Sequence, residues 1–244
     1  MRRLVVLFPA LNESANIGRV VGEALAVKLV DVELVPLVVD DGSKDDTGGI
    51  AERAGAKVVR HEKNRGVGAA FRSGNEWALA NGADFLIHMD SDGQVLPREI
   101  PDVFGPVGRD DADLVLGSRF VAGAPPQNLE RWKALALTSM ARTIGALCGY
   151  SLSDISCGFR CMNRMVMEAV RPSFDYDYIQ ETLIQAMAIH ARLVEVPVTV
   201  LYEKDPVRKG MSASTFRYSR RFMTLAAYSM ANFYKKRAME LVGR

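Results

Sequence analysis

Five short strand-like runs, residues 4–8, 34–39, 56–59, 85–89 and 113–117, recur along the first half of this 244-residue chain, the first two apolar throughout and the others mostly so. Helical spacing of apolar residues fills the gaps after the first three: Ile17, Val20, Val21, Ala24 and Leu25 behind the helix-start signal Asn12-Glu13-Ser14, then residues 47–54 and 66–80. Runs that are apolar throughout belong to strands buried on both faces, and strands alternating with helices pair in parallel because each crossover needs a helix. The chain is therefore expected to build an α/β fold, a mostly parallel sheet with helices on both faces. Beyond about residue 130 the rhythm loosens. Residues 132–147 and 178–191 read as helices, 194–201 as a strand interrupted by Pro197, and 214–241 as a basic amphipathic helix or helix pair. The stretch 134–153, largely apolar around Arg142, is read as a buried helix, with a lipid-facing element as the alternative.

In open parallel sheets ligands bind outside the carboxyl ends of the strands, and here those ends are polar five times in succession. They carry Pro9-Ala10-Leu11-Asn12-Glu13, Asp40-Asp41-Gly42-Ser43, His61 to Gly66, Asp90-Ser91-Asp92 and Gly117-Ser118-Arg119. Any one of these is ordinary turn chemistry; together they describe a binding crevice. The Asp90/Asp92 pair is the most specific member, since hard divalent cations bind through one or two carboxylates plus substrate phosphates. No G-x-G-x-x-G follows the first strand and no G-x-x-x-x-G-K-[ST] loop occurs, which argues against dinucleotide binding and nucleoside triphosphate hydrolysis. Gly66-Val67-Gly68 opens a helix where backbone N–H groups can approach phosphate.

Charge is unevenly spread. Residues 204–244 hold ten Lys/Arg against Asp205 and Glu240, a local +8 in a chain of net charge +2, so the remainder carries −6. A basic end on an acidic body suits an anionic surface. Cys148, Cys157 and Cys161 are too few for a disulfide framework, and without nearby His they are read as packed thiols rather than zinc ligands. His61, His88 and His190 are read as packed or solvated imidazoles. With no secretory leader expected behind Met1-Arg2-Arg3 and no spanning helix, the expected location is cytoplasmic, peripheral on the membrane face.

Taken in order, these stretches resemble the family 2 glycosyltransferases of GT-A fold, in the dolichyl- or polyprenyl-phosphate glycosyltransferase branch. The resemblance runs over about residues 4–215 and includes Asn64 to Ala70, Asp90-Ser91-Asp92-Gly93-Gln94, Gly117-Ser118-Arg119-Phe120, Asp154 to Arg160, Glu195-Val196-Pro197-Val198 and Arg208-Lys209-Gly210-Met211-Ser212. It implies a GT-A (Rossmann-like) domain over 1–213 and a basic amphipathic helical tail over 214–244. It implies a GDP- or UDP-sugar donor, a lipid phosphate acceptor, Mg²⁺ or Mn²⁺ as cofactor, and no nucleic-acid partner. Pro9, Leu11, Glu13 and Asp41 would line the nucleoside pocket, with Ala69 near base or ribose. Asp90 and Asp92 would hold the metal, with Gln94 beside metal or sugar. Arg119 and Arg208 would meet phosphate.

The acceptor class rests on fewer residues. A phosphate monoester is largely ionised at neutral pH and needs positioning more than a base, whereas a hydroxyl acceptor needs a carboxylate. Glu181 is the candidate base, standing where hydroxyl-glycosylating relatives carry an acidic pair; Thr182 replaces the second acid. The branch also carries an Arg four residues before a Ser in the helix after Gly-Ser-Arg. Here Leu135 precedes Ser139 at that distance, leaving Arg131 as the substitute cation. Flanked by Arg217, Arg220, Arg221, Lys235, Lys236 and Arg237, the uncharged stretch 222–234 suits a membrane interface, directly or through a membrane-anchored partner, with a helix docked on the core and its charges solvated as the alternative. The rival readings are a soluble hydroxyl-directed glycosyltransferase and a non-catalytic nucleotide-sugar-binding subunit.

Overall fold

The computed structural model describes residues 1–121, 129–175, 178–201 and Tyr234. A seven-stranded sheet has the order β3-β2-β1-β4-β6-β5-β7. Its strands are β1 (Arg2–Ala10), β2 (Val32–Asp40), β3 (Lys57–Arg60), β4 (Phe85–His88), β5 (Leu114–Ser118), β6 (Arg160–Asn163) and β7 (Leu193–Pro197). β6 runs antiparallel to both β4 and β5, and every other pairing is parallel. The expected mostly parallel sheet is thus present, with one reversed strand inserted.

Period-two alternation sorts the strand residues onto two cores. Leu4, Val6 and Phe8 of β1 face α1 (Ile17–Ala26) and α4 (Ile100–Gly108). Val5 and Leu7 face the opposite layer, formed by α3 (Val67–Ala80), α5 (Arg131–Cys148), α6 (Arg164–Ala169) and α7 (Tyr178–Ala188). α2 (Thr47–Arg53) covers the β2–β3 edge. All five of those β1 side chains are fully buried, each contributing roughly 1.5–3 kcal/mol of hydrophobic stabilisation.

Two elements were illegible by periodicity. α4 contains Pro101 and Pro106, normally helix breakers. Pro101 lies in the first turn, where its missing N–H costs nothing, and Pro106 removes a single intrahelical bond. β6 is only four residues long and begins with a charged residue. Arg160 is nevertheless buried, donating to the carbonyls of Cys157, Ile179 and Ile155 at 2.9, 2.7 and 2.7 Å. Burial lowers its pKa to about 10, which leaves it charged.

α5 corrects the expectation of a buried helix. Ala134, Ala141, Ile144 and Cys148 pack inward, while Trp132, Leu135, Ser139, Arg142 and Leu147 share an exposed side, Leu135 at 67% exposure. No helix among the described residues is long and apolar enough to cross a membrane. The basic tail lies outside the described residues apart from Tyr234, whose hydroxyl donates to the Leu147 carbonyl at 2.7 Å.

Candidate active site

The carboxyl ends of β1, β2 and β4 open on a cleft of about 270 Å³, near the lower end of the size range for small-molecule sites. Pro9, Leu11, Glu13, Asp41, Asp90 and Asp92 all line it, with Asn64, Gly66, Val67, Ala70 and Ser91. The loops that carry them are cross-linked. Asn12 N donates to Ser43 Oγ at 3.0 Å, Lys44 N to Asn12 Oδ1 at 2.8 Å and Glu13 N to Thr47 Oγ1 at 2.8 Å, which ties the β1–α1 loop to the β2–α2 loop. Ser91 Oγ donates to the Pro9 carbonyl at 2.7 Å, so the acidic loop is pinned to the end of β1.

Asp41 is buried and builds one wall. Its Oδ1 accepts from Arg65 N at 3.0 Å and pairs with His61 Nδ1 at 2.6 Å, and its Oδ2 accepts from Gly66 N at 2.8 Å. His61 in turn meets Ser73 Oγ through Nε2 at 2.9 Å. The carboxylate thereby turns the chain into α3 and presents Gly66, Val67 and Ala70 to the cleft. Ala70 lines it on the helix face it shares with positions 66 and 67, and the expected Ala69, its neighbour on α3, is not among the lining residues.

At the other end the carboxyl groups of Asp90 and Asp92 stand together. Burial, reinforced by the Asp92 charge and opposed by Arg119 and Arg160, pushes Asp90 up to about 6. Burial is the larger cause and the neighbouring Asp92 charge the smaller one, and a bound cation would oppose both. Asp92 Oδ1 accepts from Gln94 N at 3.0 Å, so Gln94 closes the turn, and its side chain is not among the cleft lining. Among the described residues no group of three or more His, Cys, Asp or Glu is arranged to hold a metal without further ligands. Two hard oxygen donors facing a cleft do fit a Mg²⁺- or Mn²⁺-type ion that takes its remaining ligands from diphosphate and water.

Behind Asp90 the packing is polar and closed. His88 is buried, and burial pushes its imidazole down to about 4, so it is neutral. All three cysteines are buried and none is in a disulfide; burial pushes the Cys157 thiol up to about 12, as expected of packed thiols.

Arg119, expected at phosphate, is held by Asp154: Nε donates to Oδ2 at 2.7 Å and Nη2 to Oδ1 at 2.8 Å, with Ser156 Oγ also in reach of Nη2. Glu195 accepts from Ser153 N at 2.9 Å and Asp154 N at 2.9 Å, anchoring that loop to β7. Burial alone would raise Asp154, but the hydrogen bonds and charge of Arg119 outweigh it and hold its carboxyl below the ordinary value.

Glu181, expected as a base, is 3% exposed and does not line the cleft. Its Oε2 accepts from Ser173 N at 2.7 Å and Phe174 N at 3.0 Å, and its Oε1 from Ser173 Oγ at 2.9 Å. That loop docks on α3, where Gly68 N donates to the Asp175 carbonyl at 2.7 Å. A Cβ on Gly68 would stand 2.2 Å from the Phe174 carbonyl oxygen, so the docking admits only glycine. Arg131 and Ser139 are exposed on α5, outside the cleft lining, and Arg208 lies outside the described residues. His61, Tyr178 and Gly158 support the site; the sequence put His61 at a strand end and Gly158 in a family-like stretch but gave none of them a role, because each acts on a neighbour that only folding supplies.

A mostly parallel α/β sheet with an acidic pair at a strand end beside a cleft is GT-A-like in architecture. Residues 5–171 match the model described as "Glycosyl transferase family 2", and the chain belongs to that family: it is a glycosyltransferase. It is 33% identical to the polyprenol monophosphomannose synthase of Mycolicibacterium smegmatis over 227 residues, 88% of this chain and 83% of that protein. It is 28% identical over 233 residues to the UDP-N-acetylglucosamine–dolichyl-phosphate N-acetylglucosaminyltransferase of Methanococcus voltae, covering 85% and 89% of the two chains. Among solved structures, glucosyl-3-phosphoglycerate synthase from Mycobacterium tuberculosis, crystallised with Mn²⁺, UDP-glucose and phosphoglyceric acid, shares the fold. The TM-score is 0.69 at 22% identity, over 94% of this chain and 80% of the other.

Proposed function

We propose that this glycosyltransferase moves a sugar, with inversion, from a GDP- or UDP-sugar to a polyprenyl or dolichyl phosphate. The observation that carries the reading is the single cleft shared by Glu13 and Asp41 at one end and Asp90 and Asp92 at the other. Pro9, Leu11 and the α3 N-terminus would seat the nucleoside, and the acidic pair would hold a divalent ion on the diphosphate. When bound, such an ion supplies charge neutralisation to the leaving diphosphate. The chain's own residues position: Asp41 shapes the nucleoside wall, and Asp154 fixes the guanidinium of Arg119, the cation we assign to phosphate.

Acceptor chemistry is supported by what Glu181 does. With its carboxylate committed to Ser173 and Phe174, it acts as a positioning residue, and a dianionic phosphate acceptor requires no protein base. The relatives named for polyprenol and dolichyl phosphate point the same way. We place the enzyme peripherally on a membrane face, with the exposed side of α5 and the basic segment 204–244 toward anionic headgroups, Arg208 and Arg131 serving the acceptor phosphate and Ser139 beside them. The test offers labelled GDP-mannose or UDP-N-acetylglucosamine with Mn²⁺ to a short polyprenyl phosphate in detergent, and separately to free saccharide hydroxyls. Label recovered as an acid-labile lipid phosphodiester supports the proposal; label only on hydroxyl acceptors overturns it.

A further inference from the structure

β4 ends at His88, and the antiparallel β6 places Arg160 opposite it. Gly158, two residues before Arg160, therefore lies alongside Asp90, two residues after His88. The approach is close: a Cβ on Gly158 would stand 2.9 and 3.0 Å from the two Asp90 carboxylate oxygens. The backbone at 158 is thus the floor on which that carboxylate rests.

A chain of buried hydrogen bonds fixes this floor. The Gly158 carbonyl can only accept, so His88 Nδ1 carries the proton and donates to it at 2.6 Å. Nε2 is then an acceptor, and the Tyr178 hydroxyl donates to it at 2.6 Å. Both rings pack on Phe71, with centroids 5.9 Å away for His88 and 5.3 Å for Tyr178. The next residue of α7 joins in, since the Ile179 carbonyl receives the Arg160 guanidinium that also clamps the carbonyls of Ile155 and Cys157. Apolar side chains at 88 and 178 would fill the same space, but only the polar chain sets the direction of the 158 carbonyl.

We infer that Tyr178 and His88 are positioning residues for Asp90, acting through the backbone of Gly158, and that the first turn of α7 thereby sets the cation-binding geometry of the acidic pair. This rests on the metal role proposed above for Asp90. Groups that orient a ligand without touching the ion typically change metal affinity by about 10–100-fold when removed.

The test titrates Mn²⁺ into the full chain with GDP in one arm and UDP in the other, reading free Mn²⁺ by electron paramagnetic resonance. Nucleotide binding in EDTA is measured in parallel by calorimetry. Tyr178→Phe, which keeps the ring and removes one oxygen, is expected to weaken Mn²⁺ uptake several-fold and leave metal-free nucleotide binding unchanged. His88→Leu is expected to cost about tenfold or more, while His88→Asn, whose amide N–H replaces Nδ1–H, restores most of it. Gly158→Ala disturbs the floor directly and decides the matter beside Tyr178→Phe if His88→Leu does not fold. Wild-type Mn²⁺ affinity in Tyr178→Phe and Gly158→Ala, or an equal loss of metal-free nucleotide binding, overturns the inference while the proposed function stands. A wild-type chain that takes up no Mn²⁺ with either nucleotide overturns the metal reading and this inference together.

Discussion

The acidic residues of this site divide by what they touch. Asp92 is half-buried and bonded to the Gln94 amide in its own turn, so Asp92→Ala should leave the melting temperature nearly unchanged. Transfer should fall by roughly 100-fold or more; initial rates at saturating donor check this. Asp154 lies at the other extreme, buried against Arg119. Removing one partner of such a pair costs on the order of 3 kcal/mol, and Asp154→Asn should lower thermal stability accordingly. Its pH dependence has a definite sign. The folded carboxyl sits below its ordinary value, so its stabilisation is complete above the unfolded value of about 3.9 and is lost as pH falls through the folded one. Melting curves at stepped pH should show a steep acid limb in the parent chain and a shallower one in Asp154→Asn.

At the scale of elements, α7 is the organiser of the site. Its first turn reaches His88 and Arg160, and Glu181 one turn on staples the 172–175 loop onto the N-terminus of α3. Glu181→Ala removes the acceptor of the Ser173 and Phe174 amides, and because Ser173 is exposed and Phe174 half-buried the loss should be that of an ordinary hydrogen bond, about 1 kcal/mol. Because that loop buttresses the α3 end of the cleft, the donor KM should rise more than kcat falls. A general base would behave oppositely, with Glu181→Gln abolishing turnover at unchanged KM. Sequence periodicity found α7 and α3 because their buried residues recur at helical spacing. It passed over α4, where two prolines mask the pattern, and β6, whose leading Arg160 is solvated by carbonyls instead of water.

For the whole molecule, the opposition between an acidic body and a basic end predicts orientation at an anionic surface. Trp132, Leu135 and Leu147 are exposed on α5, and the Tyr234 hydroxyl donates to the Leu147 carbonyl. Co-sedimentation with vesicles containing anionic phospholipid should be strong at low salt and fade as ionic strength rises. Trp132→Ser combined with Leu135→Ser should weaken it further at fixed salt. Binding that ignores both salt and these substitutions would sink the surface reading.

The class of fold was determined by the sequence alone, which also offered the strand ends and the residues Glu13, Asp41, Asp90 and Asp92 that the fold brings to one cleft. Runs of buried strand residues and polar turn residues are local patterns, and in a parallel sheet every such turn must open on the same edge. What each carboxylate does was decided only by the tertiary structure. Asp41 faces three donors of its own chain, Arg119 is clamped by Asp154, and Glu181 is consumed in holding a loop. Those partners lie 7 to 35 residues away in the chain, and no one-dimensional spacing encodes which of them a folded carboxylate will meet.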